Sequence, residues 1–169
     1  MAAVLAVGLG LYACGGGSSN SAENNDSAQS EQSTPNAAGQ AAATESESSI
    51  DVNASSDSKG VGPFTAVDVP ESIDADMAAK GEEVFQTKCT VCHQATDQKL
   101  IGPGLKGISK IRTPEWIMNM VSNPDEMLDK DPVAKALLAE FNGTRMTNQG
   151  VTKEEARQLL EFLRQNDAQ

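Results

Sequence analysis

Large apolar side chains are spread very unevenly along the 169 residues. Residues 2–12 form an apolar run of eleven, too short to span a bilayer and suited to the hydrophobic part of an export signal. From Gly15 to Gly60 there is no Leu, Phe, Trp, Tyr or Met, and Ile50 and Val52 are the only larger aliphatics. Such a stretch cannot bury enough apolar surface to offset its ordering entropy, which predicts a solvated spacer. Gly60-Val61-Gly62-Pro63 and Val69-Pro70 punctuate its end, with Phe64 assigned to the end of the linker. Helical periodicity begins only at about Met77. The reading is therefore a signal at 1–13, a disordered linker at 14–70 and one folded domain at 71–169.

Within that domain the helix signals are local. Met77 to Phe85 is helical in character, with Gly81 and Phe85 four apart on one face. Thr113-Pro114 is an N-cap followed by proline at the first helical position, and Asn123-Pro124 ends that helix. Asp131-Pro132 starts a short helix running to about Phe141, with Gly143 marking its end. Thr152 and Glu155 form a capping box before a helix carrying Leu159, Leu160, Phe162 and Leu163.

Charge changes the picture in two ways. With 24 acids against 13 bases the formal charge is −11, which argues against non-specific binding to nucleic acid. The excess is uneven: residues 77–112 hold six bases and three acids, whereas 113–169 hold six bases and ten acids. The single histidine rules out three-histidine and two-histidine-carboxylate metal sites within one chain.

Candidate chemistry centres on Cys89-Thr90-Val91-Cys92-His93, the c-type haem attachment pattern C-x-x-C-H. Two thiols three residues apart on a helical turn reach two vinyl groups on one porphyrin edge, and the next residue places an imidazole under the iron. A thioredoxin-like pair would need a surrounding βαβ pattern, and a zinc site would need further Cys or His; the chain offers neither. The remaining cysteine, Cys14, follows Leu11-Tyr12-Ala13 and precedes a Gly/Ser run. That stretch resembles a bacterial lipobox and implies a lipidated Cys14, hence a chain exported to the periplasmic side and anchored to a membrane.

Residues 77–169 resemble a class I c-type cytochrome domain, related to mitochondrial cytochrome c. Gly81 and Phe85 match the family's first helix, Cys89, Cys92 and His93 its haem motif, and Leu159 and Phe162 its last helix. The resemblance implies a small all-α cytochrome c fold around one covalent haem c, preceded here by the tether. It also implies that the Pro103 carbonyl, in Gly102-Pro103-Gly104-Leu105, accepts a hydrogen bond from the proximal imidazole. Family members supply a sixth ligand from a methionine before the last helix, which implies Met146, 53 residues after His93. Thr147 stands where the family commonly has proline. Met127 is an alternative sulfur, while Met118 and Met120 lie within the Trp116 helix and read as core.

Trp116, the only tryptophan, reads either as a haem-propionate partner or as a core aromatic on the macrocycle. Lys88, Lys99, Lys106 and Lys110 are expected either to ring the haem edge and steer an acidic redox partner, or simply to solvate loops. The expected function is electron transfer in a bacterial respiratory chain rather than enzymatic catalysis. The alternative is a ligand sensor or peroxidase-like haem with an open sixth position, for which Arg145 is the only nearby distal group.

Overall fold

The computed structural model describes residues 50–169; the predicted signal, Cys14 and most of the tether lie outside the described residues. Six helices follow in order: α1 (Ala75–Lys88), α2 (Ile108–Ile111), α3 (Pro114–Ser122), α4 (Pro124–Lys130), α5 (Pro132–Glu140) and α6 (Lys153–Asp167). Among the described residues there is no strand, and a lone parallel bridge joins Ser56 to Arg112. The all-α expectation holds.

Side chains start most of these helices. Asp74 caps α1 by accepting from the Met77 N–H, Thr113 caps α3 through Trp116 N–H, and Asp131 caps α5 through Ala134 N–H. Thr152 and Glu155 complete the capping box at α6. Two elements go beyond the sequence reading. Asn123-Pro124 does end α3, but Pro124 also opens α4, because proline's missing N–H costs nothing at a first helical position. The single turn α2 is too short to show periodicity.

Helices α1 and α6 cross at the base of the fold. A Cβ on Gly81 would collide with the Gln158 carbonyl, so only glycine permits this approach. The Phe85 and Phe162 rings meet at 5.2 Å and are tilted by 39°. Leu159, Leu160 and Leu163 are buried above them, each stabilising the fold by about 2 kcal/mol through removal from water. Glu161 is fully buried on the same helix and accepts from Arg157, Arg164 and the Asp74 N–H at the start of α1.

The largest departure concerns residues 51–70, expected to be disordered linker. They form an extended strap packed along α3 and α4. Asn119 holds it: its Oδ1 accepts from Phe64 N–H at 3.0 Å, and its Nδ2 donates to the Lys59 and Phe64 carbonyls, each at 2.9 Å. Thr113 Oγ1 donates to Ser58 O at 2.7 Å, and the Val61 N–H points at Met127 Sδ. Phe64 is buried in the core rather than trailing from a linker. The strap's order comes from polar groups on distant helices, so its own composition carries no sign of it.

Candidate haem site

After α1 the chain continues for one more turn. Both the Cys92 and His93 N–H groups donate to the Cys89 carbonyl, at 3.0 and 2.9 Å. Residues 94–105 then fold back over this turn, with Gly102 N–H to Cys92 O and Leu105 N–H to Gln94 O, each 2.9 Å. That return brings the Pro103 carbonyl within 2.9 Å of His93 Nδ1. A carbonyl can only accept, so the proton is on Nδ1 and the Nε2 lone pair is left for a metal. Gly102 lies flat against the ring: a Cβ there would stand 2.5 Å from His93 Cε1.

Cys89, Cys92, His93, Pro103, Trp116 and Met146 all line one apolar cleft, so the structure gathers every residue the sequence singled out for the cofactor. Met146 reaches it from the loop between α5 and α6 and packs against the core. Sequence reasoning missed other parts of the wall: Leu137, Leu138 and Phe141 of α5 with its C-cap, Leu128 of α4, and Met120 and Val121 of α3. The 137, 138, 141 spacing was its one available signal. Met120 lines the cleft rather than the core alone. Met118 and Met127 do not line it, and the Met127 sulfur faces the strap.

Trp116 corrects one expectation. Its indole N–H donates to Asp131 Oδ1 at 3.0 Å in a buried site, so that proton is taken by a carboxylate and is unavailable to a propionate. The ring itself forms cleft wall, as the core-aromatic reading holds.

The lysines are also more engaged than expected. Lys88 pairs with Glu155 at 2.8 Å, Lys99 pairs with Glu140 at 2.5 Å and stands over the Phe141 ring, and Lys106 donates to Asn166 O at the end of α6. Lys110 lines a separate hollow with Glu71, Arg112 and Arg164. Ile101, which lines the cleft, is 54% exposed, and Val91 within the attachment turn is 79% exposed.

Burial pushes the Cys89 thiol up to about 11, with Lys88 opposing and Cys92 adding to the rise. A thiol held protonated is a poor thiol–disulfide catalyst. The residues suit a covalent haem: two thiols on one turn, one oriented imidazole, a thioether lining the same cleft and apolar walls. Among the described residues no group of three or more His, Cys, Asp or Glu could hold a metal ion on its own.

The family model for cytochrome c matches residues 78–167. Among solved structures, the chain is 44% identical to cytochrome c from Rhodothermus marinus, with a TM-score of 0.61, covering 63% of this chain and 90% of that one. It is 41% identical to an engineered Rhodothermus marinus cytochrome c bound to a carbene intermediate, with a TM-score of 0.59, covering 64% of this chain and 92% of that one. No curated protein matches. With a family match over more than half its length and the attachment turn, proximal imidazole and cleft in place, the chain belongs to the cytochrome c family, haem-based electron carriers that hold a c-type haem covalently.

Proposed function

We propose that the chain is a one-electron carrier of a bacterial respiratory chain, in which His93 and Met146 would be the side chains that hold the haem iron. The carrying observation is that these two side chains line the same apolar cleft while His93 Nδ1 is committed to Pro103. When bound, the haem supplies a one-electron couple between Fe(II) and Fe(III). The protein's part is to hold a neutral nitrogen and a soft thioether in place through the transfer and to keep water from both. The thioether favours Fe(II) and so raises the potential.

Arg145 supports a carrier over a peroxidase-like site. It lines the cleft, but its guanidinium is engaged by α4, donating to Asp129 at 2.9 Å and to the Asp125 carbonyl at 3.2 Å. With one histidine in the chain, no imidazole is left for acid–base work.

Optical spectra of the full chain, produced with periplasmic haem maturation, test the ligands. The wild type is expected to be low-spin and indifferent to carbon monoxide, and Met146→Ala to bind it. A wild type that binds the gas at once would give the open-iron reading the lead.

Two further parts of the proposal have their own tests. Lipidated Cys14 anchors the chain on the periplasmic side, so Cys14→Ser is expected to release it from membranes; unchanged retention would end that claim. The basic excess of residues 77–112, although Lys88 and Lys99 are partly offset by Glu155 and Glu140, steers an acidic partner, so transfer to membranes containing a terminal oxidase is expected to slow with salt. A rate independent of ionic strength would remove the steering. Among the described residues no helix is long and apolar enough to cross a membrane.

A further inference from the structure

Trp116 has buried opposite charges on two sides. The Arg112 guanidinium lies over its ring at 5.4 Å, and the Asp131 carboxylate takes its N–H at 3.0 Å. Arg112 is 4% exposed and Asp131 2%. Isolated charges do not stay buried without fixed partners, and here the strap provides partners to both. Arg112 donates to the strap carbonyls of Ala54, at 2.7 Å, and Val52. Asp131 Oδ2 accepts from Ser58 Oγ at 2.8 Å, while its Oδ1 also caps α5 through the Ala134 N–H. The same Trp116 ring forms part of the haem cleft.

We propose that residues 51–64 are a positioning strap for the haem, fixing the Arg112 cation and the Asp131 carboxylate on two sides of Trp116, and that this pair sets the haem's reduction potential. A fixed anion close to the cleft stabilises the oxidised iron and lowers the potential; a fixed cation does the opposite. Burial weakens solvent screening of both charges, one over the face and one at the edge of a ring that lines the cleft. Arg112, Asp131 and Ser58 are positioning residues, since none is placed in the cleft itself.

This inference rests on the haem reading above, and the sign of a potential shift separates the two. The midpoint potential is measured by optical titration of the full haem-loaded chain. Asp131→Asn keeps the shape and a good helix N-cap and removes the anion; it is expected to shift the potential upward. Arg112→Gln is expected to shift it downward, and Ser58→Ala, which strips a hydrogen bond from the carboxylate, downward by less. A merely structural role would loosen the cleft, admit water and shift every variant the same way, downward. An Asp131→Asn potential that is unchanged or lower overturns the proposal, even if Arg112→Gln fails to load haem. A wild type without a covalent c-type haem spectrum overturns the haem reading itself.

Discussion

Gly81 and Glu161 show how much single positions decide here. Alanine at 81 would drive its Cβ into the Gln158 carbonyl, which is backbone and cannot rotate away. Separating α1 from α6 to relieve this is expected to cost about 3 kcal/mol, at the upper end of overpacking effects. Denaturant unfolding of Gly81→Ala checks it, and a loss below about 0.5 kcal/mol would mean the crossing is looser than described. For Glu161, burial alone would raise the carboxyl, but Arg157, the Asp74 N–H and Arg164 outweigh it and hold it below the ordinary 4.5. Its stabilisation is therefore complete above the unfolded value and lost as pH falls through the folded one. Stability is expected to fall with acid below about pH 4.5 and Glu161→Gln to flatten that fall; an unaltered acid limb would refute it. At this scale the sequence is most readable where chemistry is written in close spacing. Cys89, Cys92 and His93 fall within five consecutive residues, so the attachment turn could be read directly. The partner of Trp116 is 15 residues away on another helix cap, and nothing near Trp116 points to it.

Helices were legible to the extent that their signals are local. Thr113-Pro114, Asp131-Pro132 and the Thr152/Glu155 box each announce a start through capping chemistry confined to four residues. Thr152→Ala removes the hydroxyl that accepts from Glu155 N–H, and is expected to cost about 1 kcal/mol in thermal unfolding; no change in midpoint would mean that the preceding loop already fixes the end. Helix α4 was hidden because the same Asn123-Pro124 pair that stops α3 starts it. The strap was hidden for a different reason. It has no periodicity of its own, and the groups that order it belong to Asn119, Arg112 and Thr113, more than 50 residues further along. Composition predicts disorder for a segment considered alone; it does not register donors supplied by the rest of the chain.

The strap changes what counts as the folded unit. A chain beginning at Val67 would keep all six helices and the attachment turn, yet expose the Phe64 site and leave the Asn119 amide without its three backbone partners. Losing the buried ring and stranding the amide together are expected to cost about 4 kcal/mol relative to a chain beginning at Ile50. Comparing the two haem-loaded chains in guanidinium decides it: coincident midpoints would show that the strap merely rests on the surface. Charge at this scale was only partly legible. The basic excess of residues 77–112 is real, but Lys88, Lys99 and Lys106 are each met by an acid or a carbonyl, so counting residues overstated the field at the cleft mouth.

The chain contains a single tryptophan, and it lies where strap, buried charges and haem cleft meet. Its fluorescence therefore has one source and needs no deconvolution. A porphyrin against that ring would drain its emission by energy transfer, so a bright signal would come only from molecules lacking haem or from molecules whose cleft has come apart. The protein thus carries its own optical gauge of cofactor loading and of cleft opening, readable without a label.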